Sequence, residues 1–444
     1  MNSIIMQDGL RYRKPAWFDK AYQILLTSLI IISSGFPLFV NNSRFEMVIL
    51  AIVAAGLAYY RPNLRTVLIY TFFFSLIMFV QAAWYGVFYF KTAIYQTLLF
   101  FAAAASVSVL GINLIYTYNR ILLIIAAIAV LLFIPILINP AFVDKLIALS
   151  PFHTVTTTEV YGWKTQSHNI LLMHFPPDFF TGLIRNSGPF WEPGAFGGYL
   201  MLALMFNTLL HHTLFRKENL IYLAAILTTF STTTYLALFF FSIAYFFIGI
   251  KNPIIKWGSL FIFLLVAFIS FQKIDFLGEK ISKELKETRY QALKKGGDTR
   301  MASAYLDLKE IQENALTLFF GRGSHPDTRI QGADKEVLRT NGITDLLSRF
   351  GLIFFLFSVI ALFLSYKRLA SAGKNSNQLA LAALLTTLLV SFSEIYFIYL
   401  MFKTVTLFHI ATLHLKKKAT PLQTVKKHRE FSNPKTITNK IIIS

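Results

Sequence analysis

The residues best suited to chemistry lie in one short segment, from Arg185 to Glu192. The arginine guanidinium is always charged, and its planar fork matches the oxygens of a phosphate or carboxylate. A glutamate beside it can hold or accept a proton. Gly188, Pro189 and Pro193 lie between or next to these two residues. The segment therefore predicts a bent approach to a helix that turns both side chains towards one cavity.

Simpler explanations of this pair stay open. Pro193 suits the first position of a helix, and a carboxylate near a helix N-terminus contributes about 0.3–1 kcal/mol, so Glu192 could serve the helix end alone. Arg185 could bind lipid headgroups at a membrane interface. Charged side chains at the edge of a membrane are costly, however, and usually functional. We therefore interpret both residues as parts of a site.

Further candidates lie in the charged segment that follows. Arg300 lies in a sequence pattern typical of a helix start, and it could simply form an ion pair with Asp298. Arg289 lies among other charged residues and could belong to a solvated helix face. Arg322 and His325 flank a glycine turn, and Asp327 follows two residues later. All five can bind anions or move protons if the fold brings them together.

The residues of this chain give little support for metal binding and none for thiol chemistry. His153, His168 and His174 resemble a metal cluster by number, but their spacing matches no ligand motif. Cysteine is absent, which excludes disulfides, cysteine-type zinc sites and thiol nucleophiles. We therefore expect neither a metal nor a cofactor.

One basic residue falls inside an otherwise apolar run near the C-terminus. Lys403 is expensive in such a position unless it is paired or reaches the interface. A structural partner such as Glu394 and a direct contact with substrate are equally good explanations of Lys403.

The elements that carry these residues are those of a membrane protein. Hydrophobic residues make up 55% of the chain and charged residues only 14%, whereas soluble domains carry about 25% charged residues. Ile121 to Ile134 is unbroken apolar sequence, and crossing the hydrocarbon core takes roughly 20 such residues as a helix. Backbone groups in lipid must pair within their own segment. We predict an all-α polytopic membrane protein with about twelve transmembrane helices.

The distribution of basic residues predicts the orientation. With the N-terminus inside, the short inner connections hold ten lysines and arginines, and the outer ones hold two, Arg44 and Lys91. Inner loops of membrane proteins carry this excess. The net charge of +20 lies mostly in these junctions and in the tail, so it indicates orientation and does not indicate nucleic-acid binding.

The run from Asn219 to Ile250 decides the side on which the later loop lies. As a single helix it would be about 48 Å long, which is too long for one span. The polar cluster at 231–234 predicts a turn between two short helices. The predicted organisation is then a cytoplasmic N-terminus (1–20), helices 1–5 (21–140), a first long external loop (141–193), helices 6–9 (194–271), a second long external loop with amphipathic helices (272–349), helices 10–12 (350–412) and a basic cytoplasmic tail (413–444).

A family resemblance rests on the segment Arg185 to Phe196, RNSGPFWEPGAF. It is similar to the Arg-x-x-Gly-x-Phe-x-Glu-Pro-Gly-x-Phe element of bacterial O-antigen polymerases and related capsule and exopolysaccharide repeat-unit polymerases. The Ser/Thr cluster at 231–234, the Gly-Arg-Gly at 321–323 and the helix restart at 341–357 also resemble that family. Ligases of the same superfamily more often have asparagine in place of Glu192, and a His-Asn pair where this chain has Thr340 and Asn341.

The resemblance implies metal-independent glycosyl transfer at the outer face of the bacterial cytoplasmic (inner) membrane. The implied partners are undecaprenyl-diphosphate-linked glycans, membrane lipids and a chain-length regulator protein, with no nucleic acid. The implied assignments are diphosphate or glycan binding by Arg185, Arg289, Arg300 and Arg322, and proton transfer by Glu192, His325 and Asp327.

Two other functions are weighed against this one. An O-antigen ligase, which passes the finished chain to the lipid A core, belongs to the same superfamily. A lipid-linked oligosaccharide flippase or other transporter would share the helix count. Transporters tend to show paired halves and charged residues deep in several spans. This chain instead places its polar residues in two asymmetric loops, which favours an outward-facing enzyme.

Overall fold

The computed structural model describes residues 17–40, 42–85, 90–160, 163–177, 179, 183–249, 252–258, 260–262, 265, 300–329, 339–370 and 375–411. Arg289 and the first part of the second predicted loop, 272–299, lie outside these residues. The basic tail and most of the predicted cytoplasmic N-terminus also lie outside them.

The described part of the chain is mostly helical. Seven of the helices within it are long and apolar enough to cross a membrane. Large apolar side chains such as Phe72 and Leu131 point outward, 70% and 68% exposed, as lipid-facing residues do. The prediction of a helical membrane-embedded protein is therefore confirmed. The helices are α1 (Trp17–Gly35), α2 (Ser43–Tyr60), α3 (Leu64–Tyr85), α4 (Phe90–Leu110), α5 (Asn113–Ile138), α6 (Phe142–Leu149), α7 (Pro193–His211), α8 (Lys217–Thr228), α9 (Thr232–Gly249), α10 (Arg300–Ile311), α11 (Ala315–Phe320), α12 (Gly342–Leu369), α13 (Ser376–Ser391) and α14 (Leu400–Thr406).

Helix α7 forms the centre of the bundle. Every residue from Pro193 to Leu210 is buried, and α5, α8, α9, α12 and α13 all pack against the helix. Small residues allow this close packing, as they do between membrane helices generally. A Cβ atom at Gly197 would overlap Thr234 on α9, and one at Gly198 would overlap the Tyr396 ring. The motif that begins at Arg185 thus leads into a helix that is buried over almost its whole length.

The chain turns between α8 and α9 as the sequence predicts. Helix α8 ends at Thr228 and α9 begins at Thr232. Phe230 takes a left-handed backbone conformation, with φ of 46°, which reverses the chain direction. The hydroxyl of Ser231 accepts a hydrogen bond from the backbone N–H of Thr234 at 3.4 Å and so caps the new helix.

A small sheet occupies part of the segment predicted only as a loop. Strands β1 (His153–Val160), β2 (Trp163–Ile170) and β3 (Met173–Phe175) pair antiparallel in that order. The threonine-rich β1 sequence favours extended backbone because β-branched side chains fit a pleated strand. This sheet is an addition to the predicted all-α architecture.

The last predicted span is a correction. The prediction placed the last of helices 10–12 at the end of the range 350–412, but the chain there forms a short 3-10 turn at 396–398 and α14 runs only from Leu400 to Thr406. The reason is a side-chain contact across the bundle. The Tyr396 hydroxyl donates to the Gly194 carbonyl of α7 at 3.0 Å. This contact holds the segment against α7 as an irregular turn.

Candidate active site

Glu192 stands at the entrance to α7, at one end of the bundle. We call this end the loop end; α1 finishes there, and the Trp191 N–H donates to the Gly35 carbonyl at 3.2 Å. Glu192 is the N-cap residue of α7 and has extended backbone, but its side chain makes no capping hydrogen bond. The half-buried Glu192 carboxylate therefore does not cap α7 and is available for another role.

A second glutamate meets Glu192 at this entrance. Glu394 lies between α13 and α14, is buried, and is hydrogen-bonded to Glu192. Gly194 leaves the space they share: a Cβ atom there would lie 2.8 Å from Glu192 Oε1, 3.5 Å from Glu394 Oε1 and 3.8 Å from Ser231 Oγ. Two carboxyl groups and a hydroxyl thus converge on the first turn of α7.

The protonation of this pair follows from its surroundings. Burial raises the pKa of the Glu394 carboxyl well above its usual range, and the nearby Glu192 carboxylate raises it further. The Arg300 guanidinium and the indole N–H of Trp191 act in the opposite direction but are the smaller effects. Glu394 therefore keeps a proton at pH values where an ordinary glutamate has lost it.

Arg300 places a positive charge next to Glu394. It is the first residue of α10, and its Nη2 lies 3.9 Å from Glu394 Oε1. Its Nε donates to the Ser393 carbonyl at 3.3 Å. The guanidinium is therefore anchored to the α13–α14 connection, next to Glu394.

A buried network of ion pairs fixes α10 in this position. Arg329 is its hub, with contacts of 2.8 Å to Asp307, 2.8 Å to Glu310 and 3.0 Å to Asp345. Asp307 and Glu310 share one face of α10, and Asp345 lies in the first turn of α12, so the network joins the two helices. The remaining ion pairs are Arg339–Asp307 and Arg339–Glu310 at 3.4 and 2.5 Å, and Arg349–Asp345 at 3.0 Å.

Arg185 is held on the turn between α8 and α9. Its Nε donates to the Thr229 carbonyl at 3.3 Å, and the neighbouring Asn186 N–H donates to the Thr228 carbonyl at 3.0 Å. Ser231, whose hydroxyl lies near Gly194 as the Glu192 carboxylate does, belongs to the same turn. The predicted common site for Arg185 and Glu192 stays a prediction, supported by this shared turn.

His174 lies close enough to Glu192 for an electrostatic interaction. Among the described residues it forms no group with His153 and His168 that could hold a metal ion. Its Nδ1 is 2.6 Å from Asn169 Oδ1, and its backbone N–H donates to the Gly188 carbonyl at 2.7 Å. Burial lowers the pKa of His174 to about 4, against the opposite effect of Glu192. The ring is therefore neutral at pH 7. His153 and His168 instead stack on each other, with ring centroids 5.4 Å apart.

The other predicted candidates form a separate group beside α3. Arg322 makes an ion pair with Glu313, and its Nη1 donates to the Thr328 carbonyl at 3.0 Å. His325 Nδ1 lies 3.5 Å from Asp327 Oδ2. Arg322 and His325 line a cavity of about 40 Å³ that Gln81 and Tyr85 of α3 also border. A catalytic role for His325 and Asp327 remains a prediction.

Close backbone packing explains why the Gly-Arg-Gly element begins with a glycine, Gly321. Gly321 has φ of 76° and Gly351 has φ of 78°, both in the region that favours glycine. A Cβ atom at Gly321 would lie 2.6 Å from the Arg349 carbonyl carbon, so the two chain segments cross in direct backbone contact. Gln81 holds the crossing by donating to the Phe320 and Arg349 carbonyls at 2.5 and 2.9 Å.

Glu394 is the functional candidate that sequence reasoning missed. Of the two explanations for Lys403, the pair with Glu394 does not form: the carboxylate in electrostatic interaction with Lys403 is Glu46, at the start of α2, and the Lys403 amine donates to the Ile398 carbonyl. The available signal was position, because Glu394 is the only charged residue between Leu379 and Phe402. An isolated acid in such a run is a functional candidate by default.

Comparisons of this chain with protein-family models, with curated proteins and with solved structures give no match.

Proposed function

We propose that this chain is a membrane glycosyltransferase that polymerises undecaprenyl-diphosphate-linked oligosaccharide repeat units into O-antigen, capsule or exopolysaccharide. One observation carries the proposal: Glu192, Glu394 and Arg300 converge at the loop end of a buried central helix. The site combines a carboxylate that makes no helix-capping hydrogen bond with a fixed guanidinium. Such a pair suits a reaction that removes a proton and releases an anion.

The proposed reaction balances as follows. The oxygen of an acceptor sugar hydroxyl forms a bond to the anomeric carbon of the donor glycan. The bond from that carbon to the diphosphate oxygen breaks, and its electron pair leaves with undecaprenyl diphosphate. Glu192 takes the hydroxyl proton. Arg300, with Arg185 on the neighbouring turn, stabilises the charge that develops on the diphosphate.

The proposed setting is the outer face of the bacterial cytoplasmic membrane, with about twelve spans and both termini inside. The excess of lysine and arginine in the predicted inner connections supports this orientation. Substrates carried on undecaprenyl diphosphate would then meet the loop end directly. The proposed reaction uses arginines for charge stabilisation and needs no divalent metal.

Cysteine labelling tests the orientation, because the chain has no cysteine of its own. We expect single cysteines at Thr157 and Lys309, both exposed at the loop end, to react with an impermeant thiol reagent in intact spheroplasts. A cysteine at Lys217, exposed at the start of α8, should react only after lysis. Labelling in the reverse pattern would show that the loop end faces the cytoplasm.

The surface glycan of a deletion strain tests the function. We expect acceptors that carry a single repeat unit and no longer chains, restored to a ladder by the wild-type gene. Long lipid-linked polymer without transfer to the lipid A core would identify a ligase instead. Single repeats confined to the inner leaflet would identify a flippase.

A further inference from the structure

The contact between Glu192 and Glu394 raises a question of charge. Two ionised carboxylates at hydrogen-bond distance repel each other, so such a pair is stable only when it holds a proton. The two differ in environment, because Glu394 is 8% exposed whereas Glu192 is half-buried. Burial disfavours the charged form of a carboxyl group, so the shared proton is favoured on Glu394, the more enclosed member of the pair.

The charges of the groups around Glu394 balance when the two glutamates share one proton. Arg300 of α10 is the cation beside it, and Trp191 donates its indole N–H to Glu394 Oε2 at 3.3 Å. Among the described residues, Tyr396 and Tyr399 also lie close to Glu394, and phenol groups are uncharged at neutral pH. One guanidinium, two carboxyl groups and one proton sum to zero charge.

We propose that Glu394 is a positioning residue that stays protonated and donates a hydrogen bond to Glu192, which holds Glu192 ionised and oriented for the proposed glycosyl transfer. This inference rests on the proposed function. Glu394 accepts from Trp191 through one oxygen and donates to Glu192 through the other. Its role is that of a neutral donor, and it does not carry a proton to or from the substrate.

This role makes glutamine a substitute for Glu394. The carboxamide of Glu394→Gln can accept from the Trp191 indole through its oxygen and donate to Glu192 through its NH₂ group. The variant keeps both hydrogen bonds and removes the titratable proton. Glu394→Leu has similar size and removes both bonds.

The test is the pH dependence of polymer formation by the purified full-length chain, with lipid-linked repeat units extracted from the deletion strain as the probe. Wild-type activity should fall at high pH, where the pair loses its shared proton. Glu394→Gln should retain turnover within a few-fold and should not show this alkaline loss. Glu394→Leu should lose roughly 10- to 100-fold, the value of a hydrogen bond to a charged group.

Infrared spectroscopy gives a second readout that needs no activity. The difference spectrum between the wild-type protein and Glu394→Gln at pH 7 should contain a carbonyl band from a protonated carboxylic acid, because only the wild type carries the Glu394 proton. The inference is overturned if that difference band is missing, if Glu394→Gln is as inactive as Glu192→Gln, or if Glu394→Gln still loses activity at high pH. Normal polymer from Glu192→Gln would instead overturn the proposed function, whatever Glu394→Gln does.

Discussion

Glu192→Gln is expected to stop chain growth while the protein remains folded and in the membrane. Glutamine preserves the size of the side chain and can still hydrogen-bond to Glu394, but it cannot accept a proton. Loss of a general base typically lowers a rate by about 10²–10⁴-fold. Because the Glu192 side chain does not cap α7, the change should cost the fold little. The measurement is the length distribution of glycan in the complemented deletion strain, with protein level determined by immunoblot.

Glu218→Gln is the matched control for this experiment. Glu218 lies in the first turn of α8 and pairs with Arg216 at 3.1 Å, away from α7's entrance. Its substitution should leave the glycan ladder unchanged. A normal ladder from Glu192→Gln at normal protein level would contradict a catalytic role for Glu192.

Arg329→Gln is expected to have the largest effect on stability. Arg329 contacts three buried carboxylates, so its removal leaves negative charges without their shared partner. Breaking a buried ion pair in this way costs about 3–5 kcal/mol. The apparent Tm, followed by tryptophan fluorescence of the purified protein, should fall clearly. Polymer should be lost as well, because α10 carries Arg300 to Glu394.

Two further variants separate network effects from general damage. Lys309→Gln changes an exposed charge on the same helix and should leave the apparent Tm unchanged. The double variant Asp307→Asn/Arg329→Gln removes one charge of each sign and should be more stable than the sum of the single losses, as expected for residues in contact. Additive losses would show that the network does not act as a unit.

Local sequence patterns predict much of the helical architecture. The polar cluster at 231–234 marks the turn between α8 and α9, and Pro193 marks the start of α7. These signals work because turns and helix starts depend on residues a few positions apart. The last span was mispredicted because its break depends on Tyr396 reaching α7, a contact between residues 202 positions apart.

The candidate site was predictable only in part, for the same reason. Glu192 and Arg300 stand out by residue type and local pattern. The place where they meet does not stand out, because it is formed by Glu394, which the sequence offered only as a possible partner of Lys403. The network around Arg329 was also missed, since its acids on α10 and α12 are charged residues in a segment rich in both signs. Pairing among many possible partners is decided by the fold.

Polymer synthesis by the purified chain tests the central claim most directly. The wild-type protein and Glu192→Gln would be reconstituted in nanodiscs and given lipid-linked repeat units from the deletion strain, with EDTA present. We expect the wild type to make products of two or more repeats and to release undecaprenyl diphosphate, and we expect Glu192→Gln to do neither. Equal product from both proteins, or synthesis that requires a particular divalent ion, would contradict the account.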